Sequence, residues 1–317
     1  MRKKIVDMKI GPNMTANEVI NQLGESGVFG AGRVWRACDI LEKMARNRAR
    51  VFLGLAGAMV PAGMRRIIAD MIRQGTIEVL VSTGANITHD LMCSFGAGQW
   101  RDVSHSSDAE LKDRGISRIY DSFIEEEAFE IFEKKMFEIF STIDTDDRPI
   151  TPSDLLREVG ARISDESSIV GTAASVDVPI FVPAFVDSIL GMQTLFYSQT
   201  HPLQIDVLGD LKRIIDISCT AGTSGAILVG GGVPKNFILQ SKLVAPRGFD
   251  YLVQITTDRP DPGGLSGATL DEAISWGKAN PGSEKVTVYG DATIVLPLVV
   301  ASVRERLDGD GPEGRSK

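Results

Sequence analysis

The sequence predicts an α/β protein with a doubly wound, mostly parallel sheet, helices on both faces and a helical insertion. Two observations carry that expectation. Six short apolar runs, each closed by Gly, Thr, Asp or a neighbouring polar residue, alternate with helix-length amphipathic segments. The runs are apolar almost throughout instead of alternating, as in strands buried on both faces of a parallel sheet.

In chain order the strand candidates are 51–57 (VFLGLAG), 77–83 (IEVLVST), 178–185 (VPIFVPAF), 225–230 (GAILVG), 250–257 (DYLVQITT) and 286–291 (VTVYGD). Segments between them, such as 62–74 and 203–217, carry helical periodicity. Residues 118–165 break the rhythm with a charged helix, EEEAFEIFEKKMFEIF (125–140), followed by DTDDRP, and are expected to form a helical insertion. The glutamates at 125–127 read as a solvated helix start, favoured there by the helix dipole. Residues 1–307 are expected to fold as a single domain. The polar, Gly-rich tail 308–317 is expected to be disordered.

The chain has 317 residues, 43% hydrophobic and 24% charged, with a net charge of −8. That balance argues against a nucleic-acid partner and permits basic ones, such as polyamines or a basic protein loop. Cys38, Cys93 and Cys219 are far apart and odd in number, and read as reduced, buried thiols. With them, His89, His105 and His201 make no metal-ligand spacing; each reads as a lone surface or turn histidine, and no metal is expected. Trp35 and Trp100 read as packing residues. No apolar signal core follows the basic start, and the longest apolar stretch, Ala292–Val303, is too short for a bilayer and contains Pro297. A cytoplasmic protein without a membrane span is expected.

In a sheet of this kind, ligands bind at the carboxyl ends of the strands. Polar punctuation gathers there: Thr83-Gly84, Asp187, Gly230-Gly231-Gly232, Thr256-Thr257 and Asp291. Glycines let backbone amides approach a phosphate, and helix N-termini favour anions. Carboxylates at strand ends accept ribose hydroxyls. These positions are therefore candidates for a nucleotide site. Plain turns and helix caps are the competing reading, because Asp at a strand-to-helix turn is a common N-cap.

Three blocks narrow the choice: GGGVPKNFI from Gly230, ITTDRPDPGGLSGATLDEAISWGK ending at Lys278, and VYGDATIVLPL ending at Leu298. With FLGLAGAMVPAGM (52–64), VLVSTGANITHDL (79–91), GISRI (115–119) and VPIFVPAFVDSILG (178–191), they resemble the deoxyhypusine synthase family from about residue 50 onward. The resemblance implies a homotetramer with a Rossmann-like core, active sites at subunit interfaces and bound NAD. It implies oxidation of spermidine, release of 1,3-diaminopropane, and passage of the four-carbon piece through an imine on a lysine. The acceptor is a lysine of translation initiation factor five-A.

By the same resemblance, Lys278 is the covalent residue, Trp276 and Glu272 contact the amine substrate, and Asn236 lies beside it. The cofactor positions are Thr83, Gly84, Ala85, Asp187, Gly231, Thr257, Asp258, Asp291 and Ala292. A lysine must shed its proton to attack an imine carbon, which burial or neighbouring cations favour. A tryptophan face suits a cationic polyamine, at roughly 0.5–2 kcal/mol. The competing reading of WGK is a surface lysine on a helix that buries Trp276 in the core.

The sequence also departs from the eukaryotic pattern. Asn236 stands where the family has a proton-accepting histidine, and a neutral amide takes up no proton at neutral pH. Met192 and Leu265 replace two aspartates that grip spermidine's amines; His89 replaces a glutamate, and Gly57 and Pro61 replace serines. Two alternatives follow: aminobutyl transfer to a small diamine, as in homospermidine synthesis, or a catalytically idle NAD-binding paralog.

Overall fold

A computed structural model describes residues 3–101, 106–145 and 148–308. The tail beyond Asp308 and His105 lie outside the described residues. The strands are β1 (Arg50–Leu55), β2 (Val79–Ser82), β3 (Trp100–Arg101), β4 (Ile116–Ile119), β5 (Ser122–Glu125), β6 (Ile180–Phe181), β7 (Ser224–Val229), β8 (Phe249–Thr256) and β9 (Ala279–Tyr289). Each of the six expected runs contains one of β1, β2 and β6–β9, or overlaps it. These six make a parallel sheet flanked by helices, so the α/β class holds. Two compact units divide the chain: Met1–Gly54 with Ile214–Lys317, and Leu55–Arg213.

In the first unit, β7, β8 and β9 pair in parallel, with Val229 opposite Ile255 and Thr256 opposite Tyr289. Ile227, Leu228, Val229, Leu252, Val253 and Ile255 are buried, which is why these segments are apolar at successive positions. Phe52 of β1 meets Phe249 of β8 edge to face at 5.4 Å. The helix Phe29–Arg46 buries Ala37, Cys38, Ile40, Leu41 and Met44, one stripe of helical spacing. Gly225 in β7 lets that helix sit close, since a Cβ would come within 2.8 Å of Met44 Sδ and displace its side chain.

In the second unit, β2 and β6 pair in parallel through Leu80–Ile180 and Val81–Phe181. A small antiparallel sheet in the order β3-β5-β4 was not expected from the sequence, and its strand β5 and the end of β4 fall within the stretch 118–165 read as a helical insertion. Tyr120 and Asp121 make its tight turn, with Tyr120 in the left-handed region at φ 57°. Of β4 and β5 only Ile124 is fully buried, so the apolar signal was too faint to read as strands. The helix Glu126–Phe140 forms as expected; it buries Ala128, Phe132, Met136 and Phe140 and exposes its acidic first turn.

Four single-residue expectations are corrected. His89 is buried, because the helix Gly84–Ser94 is enclosed on all sides over residues 86–92. Trp100 is 58% exposed on the short edge strand β3 and not packed in a core. Among the cysteines, only Cys38 is fully buried, while Cys93 is half-buried and Cys219 exposed. No helix among the described residues is long and apolar enough to cross a membrane.

The second unit is anchored by a buried carboxylate. Asp90, with no exposed surface, accepts hydrogen bonds from Ser168 Oγ at 2.9 Å, the Ile169 amide at 3.0 Å and the Val170 amide at 2.9 Å. Arg65 pairs with the same carboxylate and with Asp165 at 2.7 Å. Thus one side chain satisfies the start of the helix Ile169–Ser175 and neutralises a half-buried guanidinium. Asp90→Ala leaves those donors without their acceptor and the guanidinium with Asp165 as its one carboxylate, and should lower the unfolding free energy in urea by about 3–5 kcal/mol. A loss smaller than about 1 kcal/mol would show that the cluster contributes little.

Candidate active site

The expected nucleotide residues of the first unit converge at the carboxyl ends of its strands. The Gly230 amide donates to Ile255 O at 2.8 Å, and the Gly290 amide donates to Thr256 O at 3.0 Å. Gly231, Thr257, Asp258, Asp291 and Ala292 therefore follow three adjacent strand ends. Thr257, Asp258 and Asp291 are exposed.

The glycines serve different needs. Gly230 and Gly232 hold φ of 74° and 58°, which a side chain rarely adopts. Nothing lies within 4 Å of where a Cβ on Gly232 would stand. At Gly231 a Cβ would instead meet Ser266 Cα at 2.4 Å, so that glycine is required by the chain's own packing. Asp291 is a helix cap: its Oδ1 accepts from the amide and the hydroxyl of Thr293, both at 2.8 Å, at the start of the helix Ala292–Asp308.

In the second unit, Thr83 caps the helix Gly84–Ser94, accepting from the Asn86 amide at 3.4 Å. A Cβ on Gly84 would meet Ser188 Cβ at 2.3 Å, so Thr83–Ala85 and the turn at Asp187 lie side by side. Asp187 is exposed and not the cap of the helix that follows. Ser188 takes that role, accepting from the Gly191 amide at 3.0 Å. His89 Nδ1, five residues after Gly84, is buried with no hydrogen-bond partner among the described residues, and burial lowers the pKa of its ring.

The lysine block is a short, well-capped element. Thr269 and Glu272 form a reciprocal capping box on the helix Leu270–Ser275; Glu272 Oε1 accepts from the Thr269 amide at 2.9 Å. Glu272 is thus both the expected amine contact and a structural cap. Gly277, at φ 71°, turns the chain out of the helix. The Lys278 carbonyl accepts from the Phe249 amide at 3.0 Å, fixing Lys278 beside the start of β8.

Trp276 is 66% exposed, which removes the reading that it packs in the core. Lys278 Nζ lies 5.4 Å from its ring centroid. Lys278 is half-buried, as is Asn236 on the helix Gly232–Ser241. Within the first unit the structure does not bring the Lys278 backbone to the strand ends that carry Thr257 and Asp258. The eight residues of β8, or roughly 25 Å of strand, separate those backbone positions.

Sequence reasoning missed Lys235. It is 2% exposed and stands one helical turn before the buried Ile238 and Leu239. Its Nζ donates to Gln254 Oε1 at 3.2 Å and to Ala268 O at 2.6 Å. Burial pushes the ammonium down to about 8 against the opposing pull of Glu272 and Asp258, with repulsion from Lys278 adding to the fall. The available signal was its place on the apolar face of GVPKNFILQS, where a lysine needs buried acceptors.

Comparison with known proteins gives a consistent answer. A family model described as deoxyhypusine synthase matches residues 18–303. The "Probable deoxyhypusine synthase 1" of Methanosarcina mazei is 46% identical over 300 residues, covering 94% of each chain. The protein of that same name from Archaeoglobus fulgidus is 45% identical over 303 residues, covering 96% of this chain and 98% of its own. A crystal structure of a deoxyhypusine synthase candidate from Entamoeba histolytica superposes with a TM-score of 0.61 at 22% identity. It covers 92% of this chain and 93% of its own, a likeness of fold.

Lys235 makes stability depend on pH. Its proton is held less tightly folded than unfolded, so unfolding takes up a proton between about pH 8 and the ordinary lysine value of 10.5. The unfolding free energy gains stability as pH rises through that window. Lys242, buried and also lowered to about 8, adds in the same direction. The stability difference between wild type and Lys235→Met should shift toward wild type by on the order of 3 kcal/mol across the window. A pH-independent difference in urea titrations would contradict the assignment.

Proposed function

Because the chain belongs to the deoxyhypusine synthase family, a family of transferases, we propose that it carries out NAD-dependent aminobutyl transfer from spermidine to a lysine of translation initiation factor five-A. The observation that carries this reading is the pairing of Lys278 with the exposed face of Trp276.

When bound, NAD supplies the acceptor for a hydride from the carbon beside spermidine's secondary amine and returns it in the last step. The residues present fit that group. Gly232 leaves open space over the glycine turn, and Gly84 and Ala85 start an 11-residue helix whose amides and dipole suit a phosphate. Asp187 is exposed and not used as a helix cap, so its carboxylate can accept ribose hydroxyls. Asp291 keeps one carboxylate oxygen beyond its cap bonds for the same purpose.

Lys278 Nζ, as the free amine, attacks the imine carbon of the oxidised donor. The new C–N bond forms as 1,3-diaminopropane leaves with the displaced nitrogen. The acceptor lysine then attacks the same carbon and releases Lys278; reduction of the resulting imine completes the product. Trp276 holds a cationic amine against its ring face, and the exposed carboxylate of Glu272 supplies the countercharge. Asn236 orients a substrate amine by hydrogen bonding; as an amide it takes no proton.

A four-chain assembly belongs to the same proposal. Its support is the exposed apolar side chains such as Met192, Leu195 and Phe196 on the helix Ile189–Ser198.

With NAD and spermidine labelled in its aminobutyl half, the wild type should transfer label to the initiation factor. Lys278→Ala should transfer none and keep its affinity for NAD within about threefold, because the lysine acts on the amine and not on the cofactor. Label in homospermidine alone, from tubes containing putrescine, would assign the small-amine reaction. Normal turnover by Lys278→Ala would refute the mechanism, and no transfer in any tube would favour an idle NAD-binding paralog.

A further inference from the structure

We propose that Lys235 is a positioning residue for Lys278: its ammonium ties the segment that carries Lys278 to β8 and, through Gln254, to the glycine turn. The proposal rests on Lys278 being the residue that carries the transferred group. The geometry lies wholly within the first unit.

Lys235 can only donate, so the atom of Gln254 that faces it is the acceptor Oε1. That choice turns Gln254 Nε2 the other way, where it donates to Gly230 O at 3.0 Å and Ser266 O at 2.9 Å. Ser266 Oγ in turn accepts from the Gly232 amide at 2.9 Å. The second bond of Lys235, to Ala268 O, fixes the residue immediately before the Thr269 cap. Thr269, Glu272, Trp276 and Lys278 all follow within ten residues of that anchor.

Gln254 is 1% exposed and sits in a strand whose neighbours Val253 and Ile255 are apolar. A buried amide and a buried ammonium persist there only because each satisfies the other. Glu272, Asp258 and Lys278 are close enough to act on the Lys235 charge, which places that charge between the two halves of the candidate site. Replacing Lys235 with an apolar side chain of similar length leaves Ala268 O and Gln254 Oε1 without donors. Residues 266–278 then lose their tether to β8, and Lys278 loses its approach to the reacting carbon.

Lys235→Met tests this by two readouts. Amide exchange should accelerate by about tenfold or more across 266–279 and stay unchanged in the helix Phe29–Arg46. The kcat for aminobutyl transfer should fall by about 100-fold while KM for the amine stays within about threefold, since a small misplacement affects the transition state and not capture. Gln254→Glu, which keeps an acceptor for Lys235 but loses both donors, should loosen the same segment; it carries the test if Lys235→Met fails to fold. Uniform loss of protection, or unchanged exchange at 266–279, would overturn the proposal. So would a kcat within about threefold of wild type. The exchange arm needs no turnover, so an inactive wild-type chain would count against the role of Lys278 while exchange alone decides that of Lys235.

Discussion

A parallel strand buried on both faces leaves room for polar groups only where it ends. That constraint orders most of what this chain does. It keeps the buried stretches Ala226–Val229 and Leu252–Ile255 almost wholly apolar, while small and polar residues collect at the strand ends, at Gly230–Gly232, Thr256–Asp258 and Gly290–Asp291. It also makes any exception costly. Gln254, in the buried half of β8, is such an exception, and it persists because Lys235, Gly230 O and Ser266 O use both its acceptor and its donors.

The two ends of the sheet then have different characters. At the carboxyl ends the backbone is open, with positive-φ glycines and exposed carboxylates. At the amino-terminal start of β9 stands Lys278, delivered by a helix of six residues that would hardly form unaided. Its capping box, the Gly277 turn and the bond to Phe249 hold that short element in place. The Lys235–Gln254 pair links the glycine turn to Ala268, ten residues before Lys278, which is why a lysine absent from the expected site enters the account.

How much of this was legible follows from the same physics. The six sheet strands were readable from their apolar stretches; in β9 that is only VTVY, and its first seven residues, ANPGSEK, are mostly half-buried or exposed and carry no strand signal. β4 and β5 were not, because ISRI and SFIE bury a single side chain fully. The candidate residues do follow strand ends, but their local roles were not separable. Asp187 and Asp291 both precede helices, yet only Asp291 caps one, since Ser188 outcompetes Asp187 for the following turn. Trp276 is the reverse case: an aromatic residue that composition alone would bury, kept outside by the C-terminus of its helix. Lys235 was hidden because its acceptors lie 19 and 33 residues away, a separation that no local pattern encodes.

The central claim is that Lys278 forms a covalent imine with a four-carbon amine. The most direct measurement is reduction with borohydride during incubation with NAD and spermidine, followed by peptide mass analysis. The account predicts an aminobutyl adduct on Lys278 that requires NAD. An adduct on a different lysine, or none while product still forms, would contradict it.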